Sequence, residues 1–162
     1  MEFKIPNSNG KTVDLVQHIY EQKSIHQTDL SIHVGCDSTA KEGIWWYVLV
    51  VSFRYGKRGA HYIYQKIKIP AIRVEKEGKR KPDIFTKLWK EAEISIQCAE
   101  YLKENDIYID AIEMDYNTIP KWASNQLIGP TVGWATALGY TVLTKADEQI
   151  AVKAADHICD HI

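Results

Sequence analysis

The sequence predicts one α/β domain, a five-stranded mixed sheet flanked by helices, and three observations carry that expectation. Its 162 residues suffice for a single core, since a chain of this size buries roughly two thirds of its unfolded surface. Between residues 30 and 69 three strand-like runs follow one another with only short turns between them. From residue 85 onward helical and strand periods alternate, the pattern that lays helices on the faces of a sheet.

In chain order, Thr12 is the expected N-cap of a helix from Val13 to about Gln22, with Leu15, Val16, Ile19 and Tyr20 on one face. Residues 1 to 28 then form a helical appendage to a single domain spanning 1 to 162. Leu30 to Cys36 alternates apolar with small or polar residues, as a strand does, and Asp37 follows at its exit before a turn from Ser38 to Gly43. Ile44 to Phe53 is almost continuously apolar and bounded by Gly43 and Gly56, which marks a central strand. After a turn from Tyr55 to Gly59, His61 to Ile69 alternates with period two and leaves one face to solvent. Pro70 to Pro82 has no apolar period and is expected as a surface loop.

Phe85 to Asn105 repeats apolar residues at helical spacing. Tyr108 to Met114 alternates again and delivers Asp115 and Asn117 at a strand's end. Trp122 to Leu138 predicts a helix broken near Gly129 and Pro130, and Tyr140 to Leu143 a short last strand. Glu148 to Ile162 predicts a closing helix that buries Ile150, Ala151, Ala154 and Ile158.

Cys36, Cys98 and Cys159 are far apart and odd in number, which argues against a disulfide scaffold and for a reducing compartment. The polar opening MEFKIPNSNG and the lack of any apolar run near the ~18 residues of a membrane span predict a cytoplasmic protein with no membrane partner. His157 and His161 share a helix face, but Cys159 does not, so no zinc site is expected there. Charge is segregated along the chain. Arg54 to Lys90 holds twelve Lys and Arg against three acids, whereas from Glu91 onward twelve acids stand against four bases. A basic surface beside an acidic cluster suits nucleic acid with bound metal ions.

Four segments, VGCDST (Val34 to Thr39), KEAEIS (Lys90 to Ser95), IEMDYN (Ile112 to Asn117) and TKADEQIAVKAAD (Thr144 to Asp156), resemble in order and spacing the ribonuclease-H-like superfamily, and within it the YkuK-like group of bacterial proteins. The similarity runs from Ser31 to about Cys159. It implies the ribonuclease-H-like fold and an acidic site with one carboxylate ending the first strand, one on the first long helix, one ending the fourth strand and one on the C-terminal helix. Those positions fall on Asp37, Glu91, Asp115 and Asp156, which the resemblance makes both catalytic and metal-binding, with Mg2+ or Mn2+ as cofactor. Cleaving a phosphodiester needs an activated water and neutralised charge, which two divalent ions about 3.5–4 Å apart supply, held by convergent carboxylates.

The residues weigh on each position separately. If the first and fourth strands are parallel neighbours, Asp37 and Asp115 lie roughly 5 Å apart, although an Asp after a strand also caps turns. Glu91 borders the buried stripe of its helix, whereas Glu93 shares the solvated side with Gln97, Glu100 and Glu104. A helical wheel turns Asp156 away from the expected stripe, so Asp147 stays open beside it. Lys76, Lys79, Arg80 and Lys81 are expected to contact phosphates without reading sequence. Of Trp45, Trp46 and Tyr47, adjacent in one strand, at least one faces the side opposite to its neighbours, and most are expected in the core rather than as a base-stacking platform. The expected function is a metal-dependent nuclease acting on RNA, DNA or their hybrid. The alternative is a catalytically inactive nucleic-acid-binding or scaffold protein on the same fold.

Overall fold

A computed structural model describes residues 1–116 and 125–162, apart from the side chains of residues 76, 80–82 and 125. The chain opens with strands β1 (Glu2–Lys4) and β2 (Thr12–Asp14) and helix α1 (Leu15–Ile25). Thr12 is thus not the helix cap. It pairs with Lys4, and the cap is Asp14, whose carboxylate accepts from the Gln17 amide at 3.1 Å. Thr12 and Val13 are β-branched and favour the extended backbone.

β3 (Leu30–Lys41), β4 (Ile44–Tyr55) and β5 (Ala60–Pro70) form an antiparallel meander. Residues 70 to 82, expected as loop, contain a hairpin of β6 (Arg73–Lys76) and β7 (Lys79–Pro82). Its two-residue turn places Glu77 and Gly78 at φ 54° and 70°, the twist that favours hairpins. Helix α2 (Ile84–Glu104), strand β8 (Ala111–Glu113), helix α3 (Asn125–Ala137), strand β9 (Val142–Leu143) and helix α4 (Ala151–Cys159) complete the described elements. α3 runs through Gly129 and Pro130 rather than breaking. Both are exposed, as is Gln126, whose carbonyl Pro130 leaves without an amide partner.

The main sheet has seven strands, not five, in the order β2-β1-β5-β4-β3-β8-β9. The five expected strands are its centre, with β8 parallel to β3 and β9 parallel to β8. β1 and β2 extend the β5 edge, and Phe3, fully buried, anchors them in the same core as Leu15 and Ile19 of α1. On that face lie Val34, Cys36, Trp45, Tyr47, Leu49 and Phe53 of the sheet, with Ile94, Cys98 and Leu102 of α2. On the other face Val48 and Val50 meet Ala151, Ala155 and Cys159 of α4. Among the described residues no helix is long and apolar enough to cross a membrane.

Gly35 sets how closely α4 sits. A Cβ there would stand 3.0 Å from Val152 Cγ2 and 3.1 Å from both Ala151 Cβ and the Val152 amide nitrogen. Two of those three atoms cannot rotate away. Gly35→Ala is therefore expected to cost ~1–3 kcal/mol through overpacking, read as a lower urea midpoint with an unchanged m value.

At the far end of the sheet the Nε2 atoms of His18 and His61 are 3.0 Å apart, and both rings pack on Phe53. One ring donates and the other accepts, so at least one is neutral. Burial pulls both below the ordinary histidine value, and His61 is lowered further by the charge of His18. The unfolded chain then takes up protons first, so this stabilisation is full above pH ~6.5 and is lost as pH falls below it. Tm measured from pH 8 to 5 is expected to fall, and to fall less for His61→Gln.

Candidate active site

β3 bonds to β4 along its whole length but to β8 only at His33, Val34 and Gly35. Asp37 therefore lies inside β3 rather than at its exit, because the β4 ladder carries the strand on to Lys41. It still stands two residues past the end of the β8 ladder, where that edge of β3 is unpaired. Asp115 stands two residues past Glu113, the partner of Gly35. Alternation puts His33, Gly35 and Asp37 on the same side as Ala111 and Glu113. Asp115 lies two residues beyond β8, near enough for its charge to act on Asp37.

Asp37 is 8 % exposed. Burial pushes its carboxyl up to about 6; Lys87 and the Ser38 amide pull it down, while the charges of Asp115 and Asp156 push it up. Asp115 and Asp156 are thus both within electrostatic reach of Asp37. Glu91, on α2, is 4 % exposed, accepts from Ser38 Oγ at 2.6 Å and pairs with Lys87 Nζ at 2.9 Å. Burial, opposed by Lys87 and reinforced by Asp37, brings its carboxyl up to about 7. Glu93 instead pairs with Lys90 on the half-exposed side of the helix.

α4 corrects the expected stripe. Its buried residues are Ala151, Val152, Ala155 and Cys159, with Ile150, Ala154 and Ile158 only half-buried. Asp156 is exposed, as the helical wheel expected, at the edge of that stripe four residues after Val152 and three before Cys159. Asp147 is used locally: its carboxylate accepts from the Thr144 amide at 2.8 Å, closing a turn.

Three side chains that sequence reasoning did not single out complete the arrangement. Glu113 is fully buried and accepts from the Ile150 and Val152 amides at the start of α4, at 3.0 and 2.9 Å, and from His33 Nδ1 at 2.9 Å. Its signal was a carboxylate at an interior strand position, between Ile112 and Met114. Lys87, counted within the basic segment, is mostly buried. Burial works against its ammonium, yet Glu91 and Asp37 hold its pKa above the ordinary lysine value. Lys145 Nζ pairs with Asp115 at 3.2 Å. Between these groups runs a crevice lined by Cys36, Glu91, Ser95, Glu113, Asp115 and Tyr116, too narrow to admit water.

The order β5-β4-β3-β8-β9, with acids where β3 and β8 part, recurs with a family match: the description Ribonuclease H-like fits residues 11–160. The chain belongs to the ribonuclease-H-like family. No curated protein and no solved structure matches it. The matched residues take in β2 and α1, and β1 lies before them.

The donors of this ribonuclease-H-like site fit a hard divalent cation in kind. They are oxygens only: Asp37 and Glu91 are buried, Asp115 is half-buried and Asp156 is exposed. In their present positions, however, no three His, Cys, Asp or Glu side chains among the described residues form a group able to hold an ion; Glu91 pairs instead with Lys87 and Asp115 with Lys145. Asn117 lies outside the described residues, as do the side chains of Lys76, Arg80 and Lys81. Lys79 begins β7, and the hairpin is tied to the start of α2 by the Asp83 amide bonding the Ile72 carbonyl at 3.0 Å. Trp45 and Tyr47 are in the core, with Trp46 on the opposite face.

Proposed function

We propose that this chain is a metal-dependent nuclease that hydrolyses phosphodiester bonds in RNA or DNA. The observation that supports the reading is the buried Asp37 carboxyl, raised chiefly by burial and further by the charges of Asp115 and Asp156. A buried carboxylate with other acids close by favours a cation at the same place. Asp37 and Asp115 would hold Mg2+ or Mn2+ with Glu91 and Asp156 beside them, and the bound ion supplies an activated water and neutralises charge at phosphorus. Ser38 donates to the Glu91 carboxylate and fixes it beside Lys87. The basic hairpin at Lys76, Lys79, Arg80 and Lys81 serves the phosphate backbone of the substrate.

A second reading, a nucleic-acid-binding or scaffold protein without turnover, is favoured by Lys87 and Lys145, which neutralise two of the acids from within the chain. Incubation with RNA, DNA and RNA–DNA hybrid in magnesium, manganese and chelator separates the two. The nuclease reading expects product that disappears with chelator and with Asp37→Asn. No product from any substrate, with equal binding by both proteins, would leave the scaffold.

A further inference from the structure

The sheet face that carries Asp37 is covered by α4 only in part. Strand register sets out the rest of that face in rows: Asp37 beside Val48 and Lys66, Thr39 beside Trp46 and Lys68, and Gly35 beside Val50, Tyr64 and Lys4. Neighbouring strands are ~4.8 Å apart, so Lys66 stands about 10 Å from Asp37 across the sheet. Beyond α4 the outer rows open into a groove of about 580 Å³ lined by Lys4, Trp46, Tyr64, Lys66 and Lys68. Lys68 Nζ lies 4.4 Å from the centroid of the Trp46 ring. A second hollow, of about 270 Å³, continues along Tyr62, Tyr64 and Lys66 to His157 of α4 and His161 just past its end. Glu2 is the one acid among the residues lining the larger groove. The core is served by the opposite side of the same strands, where Trp45, Tyr47 and Ile63 are buried.

We propose that this open face binds single-stranded nucleic acid, with bases on Trp46 and Tyr64 and phosphates on Lys4, Lys66 and Lys68, and leads the strand toward Asp37. Aromatic rings beside a row of lysines are what a sequence-tolerant single-strand site requires. In a duplex the base faces are stacked on one another and closed to such rings. The inference takes its purpose from the nuclease reading and narrows it to an unpaired substrate.

The test is fluorescence anisotropy of a labelled 12-nucleotide oligo(dT) in chelator, alone and annealed to its complement. Wild type is expected to bind the single strand more tightly than the duplex. Lys66→Glu with Lys68→Glu is expected to weaken single-strand binding at least tenfold and flatten its salt dependence, and Trp46→Ala to weaken it about tenfold, with Tm confirming that the variants fold. Unchanged affinity in the folded variants, equal binding of duplex, or no binding by wild type would overturn the proposal. Because chelator removes any cleavage, a nuclease without this groove and a groove without nuclease activity give different results.

Discussion

Asp37→Asn is expected to abolish cleavage and to make the metal-free protein more stable. The carboxyl is 8 % exposed and pushed up to about 6 from an ordinary 3.8, chiefly by burial. A shift of about two units corresponds to ~3 kcal/mol of strain in holding the charge at neutral pH, and a neutral amide of the same shape relieves it. Tm should therefore rise by several degrees. The sign of the pH dependence follows. The folded state holds its proton longer than the unfolded chain does, so the gain over wild type is full above pH ~6 and vanishes toward pH 4. Removing one preorganised electrostatic group from a reaction centre typically costs on the order of 100- to 1000-fold in rate. Differential scanning calorimetry beside a cleavage assay reads both effects. A variant that loses stability and keeps activity would contradict this role.

Glu113→Ala is expected to be the most destabilising single change near the site. Glu113 accepts two amides that open α4, a helix with no side-chain cap of its own, and it also holds His33. Its removal leaves buried donors without acceptors and deprives the positive end of the helix of a carboxylate. A loss of about 3–5 kcal/mol is expected, or a fall in Tm of roughly 10 °C. Glu113→Gln, which keeps one acceptor oxygen, should lose less. Since α4 also carries Asp156, the Ala variant should weaken divalent-ion binding without touching any carboxylate assigned to the ion. A Tm unchanged within error would show that Glu113 does not anchor the helix.

The central strands were legible because their periods are long and their turns carry glycine. The parallel pairing of the first and fourth strands, on which the assignment of Asp37 and Asp115 depended, came from the resemblance and is present between His33 and Ala111 and between Gly35 and Glu113. β1 and β2 were not legible: three residues show no period, and only the burial of Phe3 commits them to the sheet. The β6–β7 hairpin stands outside the core, so no apolar alternation announces it. The stripe of α4 was misread for a physical reason. Large apolar residues such as Ile150 and Ile158 dominate a helical wheel, but the helix seats on Gly35, where only small neighbours fit, and this selects Ala151 and Ala155. Lys87 looked like one more charge in a basic segment, and nothing local distinguishes a lysine that turns inward to Glu91.

Calorimetric titration of the wild-type protein with Mn2+, repeated on Asp37→Asn, tests the shared acidic site most directly. Saturable binding by the wild type that is lost in the folded variant is the predicted result. Equal binding by both, or none by either, would contradict a metal centre built on Asp37.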